Sequence, residues 1–187
     1  MIRGAELLAF HDQGAARPAG ALWDAIEANH RNNRLLWDEE DLARRRHVPD
    51  AEIAANKRAI DRYNQARNDA IERIDEHLLG ALAEVRRKPD ARLSSETAGG
   101  MIDRLSIVSL KIRSMRAQTE RSDVGPEHIA TCRAKLERLL EQRGDLAGCL
   151  ERLLAEAARG ESYFKVYRQF KMYNDPQLNP ALYREKR

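Results

Sequence analysis

The fold is decided by residues 22–47, which read LWDAIEANHRNNRLLWDEEDLARRRH. Positions spaced alternately by four and three residues form one stripe along this stretch, which is typical of the inward face of a long amphipathic helix. The stripe consists of Leu22, Ile26, Asn29, Asn33, Leu36, Glu40 and Ala43. Its asparagines and its glutamate are costly to bury without hydrogen-bond partners. The mixture of apolar and polar side chains therefore predicts a polar site inside a helical protein.

A second stretch, Ile53–Val85, repeats the pattern. Its stripe consists of Ile53, Asn56, Ile60, Asn64, Arg67, Ile71, Ile74, Leu78, Ala81 and Val85. We expect the first helix to span about Gly20 to Arg46, because the residue before Pro49 disfavours helix. Asp50 is suited to cap the second helix. Two long helices joined by so short a link predict an antiparallel hairpin.

Polar residues interrupt the apolar stripes of both predicted helices. If the rise per residue is equal along the two helices, these polar residues lie at matching heights in the hairpin. The predicted neighbours are Glu40 with Lys57 and Arg58, Asn33 with Asn64, His30 with Asn68, and Glu27 with Glu72. Trp37 and Asp41 lie on an adjacent stripe of the first helix. Chance substitutions would not align in this way, so the pattern predicts one shared polar level within the hairpin.

Two more helices are expected after a linker at residues 86–100. Ser95 or Thr97 is suited to cap the third helix, and Pro126 to open the fourth, which ends at Gly160. Backbone N–H groups at Gly99-Gly100 are either an anion site at a helix start or a flexible entry to the helix; the second interpretation is favoured.

The segment 161–187 is rich in aromatic and basic residues. Lys165, Arg168 and Lys171 recur at helical spacing among Tyr163, Phe164, Tyr167, Phe170 and Tyr173. Such residues can stack on and neutralise a nucleotide or nucleic acid. The favoured alternative is a short helix whose rings dock on the protein while its cations face water.

The predicted fold is all-α: an antiparallel bundle of four main helices with a short N-terminal arm, a shorter aromatic C-terminal helix and no sheet. We expect a single domain, 1–187, with the arm at 1–18, the hairpin at 20–88, two helices at 97–158 and the aromatic helix and tail at 161–187. His11-Asp12 in the arm resembles the acid–histidine pair of HD phosphohydrolases, but its partner histidines are missing. A capping or surface role is therefore expected for this pair.

Composition narrows the class of protein. With 42% apolar and 34% charged residues and a net charge of +3, the chain is neither disordered nor strongly basic. It lacks an apolar run of the ~20 residues that a membrane span requires. Cys132 and Cys149 lie on one predicted helix, too far apart to form a bridge within it, and are expected to be reduced core residues of a cytoplasmic protein.

Three chemical roles are assigned to the polar level and to the basic residues of the C-terminal segment. Candidate catalytic residues are Glu27, His30, Glu40 and Asp41; candidate substrate-binding residues are Asn33, Trp37, Lys57, Arg58, Asn64, Arg67, Asn68, Lys165 and Arg168. A divalent metal bound by Glu27, His30, Glu72 and Asp75 is a further alternative, because helical proteins build metal sites from such pairs. The opposing interpretation, a buried network that fixes helix register, is favoured over the metal.

Four blocks of the sequence resemble a bacterial helical family known only as a domain of unknown function. The blocks are LWDAIEANHRNNRLLWDEEDLARR, NKRAIDRYNQARNDAIERID, SSETAGGMIDRLSIVSLKI and KVYRQFKMYNDPQLNP. The resemblance implies a role in lipopolysaccharide or other surface-polysaccharide assembly, because members are often encoded beside glycosyltransferases. We therefore expect binding or processing of a phosphorylated sugar or nucleotide-sugar. The alternative is a non-catalytic partner of a glycosyltransferase, and the sequence leaves open whether the protein is an enzyme.

Overall fold

The computed structural model describes residues 2–13, 17–170, 172 and 175–184, and most of these residues are helical. The described elements are α1 (Gly4–Gln13), α2 (Ala21–Leu42), α3 (Asp50–Ala81), β1 (Arg92–Leu93), α4 (Ala98–Thr119), α5 (Pro126–Ala158), β2 (Ser162–Tyr163) and α6 (Pro180–Tyr183). The predicted all-α class is confirmed. The finer arrangement as one antiparallel four-helix bundle stays a prediction.

Helices α2 and α3 form the expected hairpin. A hydrogen bond of 2.7 Å from Asn56 Nδ2 to Glu39 Oε2 joins them near their connection. Helix α2 ends at Leu42, before the predicted Arg46, because the following backbone turns tightly towards α3. Asp50 lies in the first turn of α3 and Pro49 takes the capping position. A carboxylate there still interacts favourably with the helix dipole.

Helices α4 and α5 form a second hairpin, joined by residues 120–125. Thr97 caps α4 as predicted, with its Oγ1 accepting from Gly100 N at 3.1 Å. Pro126 is the first residue of α5, also as predicted. Gly160 follows α5 with a φ of +70°, and a Cβ there would lie 2.3 Å from Arg86 O, so glycine is required at this position.

The apolar core lies where α2 and α4 start and where α3 and α5 end. Leu7 and Phe10 of α1 close this region. Helix α4 is central, since it packs against α1, α2, α3 and α5. The other fully buried members of the core are Ile26, Ile74, Ala98, Ile102, Leu105, Leu150, Leu154 and Phe164.

Two predictions about the rest of the chain were wrong, and the predicted docking of the aromatic rings holds only in part. A two-stranded parallel sheet exists, because the backbone of β2 pairs with β1 in the linker. This pairing holds the chain extended after α5, so the aromatic helix does not form within the described residues. Phe164 is buried, but Tyr167 and Phe170 are 73% and 87% exposed. Lys171, Tyr173 and Asn174, which belonged to the same prediction, lie outside the described residues.

The cysteine prediction holds in part. Both cysteines are free; Cys132 is buried, whereas Cys149 is exposed and does not belong to the core. None of the helices that the structure describes is long and apolar enough to cross a membrane.

Candidate functional site

A buried hydrogen-bond network joins α2 to α4. Asp103 Oδ1 accepts from Asn29 Nδ2 at 2.8 Å and from Asn33 Nδ2 at 2.9 Å. Asn33 Nδ2 also lies 3.0 Å from Ser106 Oγ. The two asparagines of the α2 stripe therefore bond to α4, whereas the sequence had predicted Asn64 of α3 as the neighbour of Asn33.

One buried histidine, His30, extends this network, and a second, His11, stacks on it without a hydrogen bond to other described residues. His30 Nδ1 lies 2.8 Å from Ser106 Oγ, and its ring stacks on that of His11 at a centroid distance of 4.8 Å. Burial, aided by Arg34 and Arg113, lowers the pKa of His30 to about 4. Burial also lowers the pKa of His11 to about 3, so both rings are neutral at pH 7. The predicted surface role of His11 is wrong: it is 6% exposed and packs beside Phe10 against α2.

Asp75 of α3 has a buried carboxylate that lies against the start of α4. Its Oδ1 accepts from Gly99 N at 2.6 Å. Burial raises the pKa of Asp75 to about 6, although hydrogen bonds from Thr97 and Gly99 oppose that shift. A Cβ at Gly99 would lie 2.7 Å from Ile71 O, so the close approach of α3 requires glycine. Since Asp75 and Thr97 occupy the N–H groups of Gly99 and Gly100, the open anion site considered there does not exist.

The four residues considered as metal ligands do not converge. Glu27 is exposed and pairs with Arg17 at 2.7 Å. His30 and Asp75 belong to the separate contacts above, and Glu72 Oε1 accepts from Gln169 N at 3.3 Å. Among the described residues, no group of three or more His, Cys, Asp or Glu side chains is arranged to hold a metal ion.

A cavity of about 300 Å³, which we call the polar cleft, lies between α2, α3 and α4. It brings together six of the predicted site residues: Asn33, Trp37, Glu40, Asp41, Asn64 and Arg67. The remaining lining residues are Leu36, Arg44, Ile107 and Leu110. The predicted polar level of the hairpin therefore corresponds to a real concave surface.

Arg67 has a buried donor atom without a partner at the polar cleft. Its Nε is buried and has no hydrogen-bond partner among the described residues. Asp103 Oδ1, at 3.8 Å, is near enough to compensate its charge but too far for a hydrogen bond. Arg44, in contrast, pairs with Glu40 at 2.7 Å. Arg67 is thus held in place with donors still available.

A second cavity, the α3–α4 cavity of about 370 Å³, also contacts Arg67. The extended C-terminal segment covers it, with Asn68 Nδ2 donating to Gln169 Oε1 at 2.9 Å. The Oδ1 of Asn68 is buried without a partner in the part of the chain that the structure describes. The cavity is lined by Arg67, Asn68, Ile71, Glu72, Asp75, Ser95, Glu96, Thr97, Gly100, Asp103, Val166, Tyr167 and Gln169.

Other predicted residues lie elsewhere. Lys57 is exposed and pairs with Asp61 one turn along α3. Arg58 and Lys165 are exposed and line neither cavity. Arg168 pairs with Glu76 at 3.2 Å on the outer side of α3.

Sequence reasoning assigned no role to Asp103 or Ser106, although these residues organise the network. The available signal was their three-residue spacing, which places both on one face of α4. That spacing did not reveal which helix they face. His11 was missed because its burial depends on α1 packing across α2.

The fold and the cleft together define an all-helical protein with a polar site between three of its helices. The sequence matches the family model described as "Protein of unknown function (DUF4254)" over residues 23–166, and the chain belongs to that family. The matched segment includes every residue that lines the polar cleft. No curated protein and no solved structure matches the chain.

Proposed function

We propose that the polar cleft binds a phosphorylated sugar or nucleotide-sugar used in surface-polysaccharide assembly. The observation that carries this proposal is Arg67, which lines the cleft and whose buried Nε has no hydrogen-bond partner among the described residues. A guanidinium with open donors binds phosphate through two parallel hydrogen bonds. Leaving such a group unpaired costs stability, which is reasonable where a ligand completes it.

The other groups of the cleft suit a sugar. The carboxylate of Asp41 and the side-chain amide of Asn64 make no hydrogen bond to other described residues, so both are free to contact hydroxyl groups. Trp37 offers a half-buried ring beside them. A volume of about 300 Å³ lies at the lower end of the range for small-molecule sites.

The position of Arg67 between two cavities favours a two-part ligand. A nucleotide-sugar has a nucleoside and a sugar joined by a diphosphate, and Arg67 lines both the polar cleft and the α3–α4 cavity. We infer that the diphosphate lies at Arg67. Among the candidate catalytic residues, Glu40 and Asp41 line the cleft, whereas His30 is sealed in the core and Glu27 is outside it.

The test is ligand-dependent thermal stabilisation with UDP-linked hexoses, GDP-linked hexoses and hexose 1-phosphates. A ligand at about 100 times its dissociation constant stabilises the folded state by about 2.7 kcal/mol. Arg67→Gln should abolish most of this shift, whereas Arg62→Gln, an exposed control on the same helix, should keep it. The absence of any shift with the whole panel, or an equal shift in Arg67→Gln, would contradict the proposal.

A second candidate function, docking on a glycosyltransferase, is favoured by the exposed C-terminal segment. Large apolar side chains gather there, including Tyr167, Phe170 and Met172. Clustered exposed apolar groups are typical of protein-binding surfaces. Co-purification with a glycosyltransferase that is lost in Tyr167→Ser/Phe170→Ser, but retained in Arg67→Gln, would support this alternative. Retention by the double variant would exclude the segment as the docking surface.

A further inference from the structure

A groove of about 1290 Å³ lies between α4 and α5 and is far larger than the polar cleft. Its apolar lining includes Met101 and Met115 from α4 and Leu139 and Leu146 from α5. A surface that combines methionine and leucine with a charged rim is typical of a protein interface. Its occupant can be inferred from the charges.

Part of the rim is neutralised within the chain. Arg104 pairs with Glu96, and Arg138 pairs with Glu141. The remaining charges are unpaired in the described part of the chain; they are Lys111, Lys135 and Asp145.

The unpaired positive and negative charges lie at different positions along the groove. Lys111 lies eight residues before the end of α4 and Lys135 nine residues after the start of α5, so the hairpin places them at one level. Asp145 lies ten residues further along α5, at a distance of about 15 Å. The groove therefore has one cationic end and one anionic end.

An antiparallel copy of α5 would complement this pattern. Reversing α5 about the position of Leu140 pairs each lining residue with another lining residue of the same helix. The resulting pairs are Lys135 with Asp145, Arg138 with Gln142, Ala134 with Leu146, Thr131 with Cys149, and Leu139 with Glu141. Opposite charges meet at Lys135 and Asp145, and the exposed Ala134 lies against the largely buried Leu146.

We propose that α5 of a second copy of this chain fills the α4–α5 groove, with a twofold axis at the height of Leu140 along the helix, although Leu140 itself does not line the groove. The interface is isologous, so the same surface is used by both subunits. Each Asp145 then faces both Lys135 and Lys111 of the other subunit. Each of the two lysines faces one Asp145, and each Asp145 faces two lysines.

The first test is the mass in solution, measured by light scattering and sedimentation. The wild type should be a dimer at micromolar concentrations. Asp145→Lys and the double variant Lys111→Glu/Lys135→Glu should each weaken the dimer at least about tenfold, because like charges then oppose each other. Their mixture should restore a heterodimer, because the reversed charges match again. A wild-type monomer, or a mixture that stays monomeric, would overturn the proposal.

The second test is a cross-link between positions 131 and 149. Thr131→Cys should form a disulfide-linked dimer with the native Cys149 of the other subunit under mild oxidation. Arg133→Cys, an exposed position outside the groove, should not form one, and Cys149→Ser in the Thr131→Cys background should abolish it. A dimer that resists these charge changes and does not cross-link at these positions would exclude the proposed packing.

Discussion

Two faces of α4 have opposite chemistry although both are buried. Ile102 and Leu105 belong to the apolar core. Asp103 and Ser106, each one residue further along, bond to α2. Apolar burial is non-directional and stabilises the fold directly. A buried polar group gives little net stability but fixes geometry, so the polar face is better explained by the position it imposes on Arg67.

The apolar face should show the largest effect on stability. Leu105 is completely buried, so Leu105→Ala should lower the free energy of unfolding by about 2–5 kcal/mol through lost burial and a residual cavity. Leu42→Ala, at an exposed position near the end of α2, is the control and should change it by less than about 1 kcal/mol. Urea denaturation measures both variants. Equal losses in the two variants would mean that the core does not lie on this face of α4.

Substitutions on the polar face should lower the free energy of unfolding by more than the small net contribution of its hydrogen bonds to stability suggests. Asp103→Ala removes the acceptor of Asn29 and Asn33 and should cost about 3 kcal/mol, because buried donors are left unpaired. Asp38→Ala, an exposed control on α2, should be nearly neutral. A loss below about 1 kcal/mol for Asp103→Ala would show that water satisfies the network and that it does not fix the geometry.

The free energy of unfolding should also depend on pH, because His11, His30 and Asp75 have shifted pKa values. The unfolded state takes up protons on His11 and His30 below about pH 6.5, whereas the folded state resists protonation down to about pH 3 and pH 4. Stability from these histidines is therefore present above pH 6.5 and is lost as the pH falls. Asp75 acts oppositely, because its raised pKa lets the folded state bind a proton near pH 6. Together these shifts predict a net loss of about 2 kcal/mol between pH 7 and pH 5.

Urea denaturation across this pH range measures the loss. His11→Phe should remove a large part of the pH dependence, since the ring shape is kept without a titratable group. His77→Gln, an exposed control on α3, should leave it intact. Stability that rises on acidification in the wild type would show that Asp75 outweighs the two histidines.

Helix periodicity was sufficient to predict the long helices and much of the polar cleft. The spacing of apolar residues located α2 to α5 to within a few residues. Matching the polar positions of α2 and α3 brought Asn33, Asn64 and Arg67 to one level, as the cleft shows. The helices and the matching polar level could be predicted because both depend on the local geometry of a helix and on the short connection between α2 and α3.

The features that were missed depend on contacts between distant segments. Whether Asn33 bonds to α3 or α4 depends on how the second hairpin packs, which periodicity does not specify. The extended segment after α5 is held by backbone pairing with Arg92 and Leu93, so its helical spacing of basic residues was misleading. The contact of Asp75 with Gly99 also joins distant segments, so the spacing of Glu72 and Asp75 did not predict it.

The most direct test of the account is a double-mutant cycle between Asp103 and Arg67, read out as affinity for the nucleotide-sugar that most stabilises the wild type. Titration calorimetry should show that Asp103→Asn weakens binding about tenfold, or 1.4 kcal/mol, because Arg67 loses the charge that holds it. In the Arg67→Gln background, the same change should have little effect. An equal loss in both backgrounds, or no loss in either, would contradict the claim that the polar face of α4 exists to position Arg67.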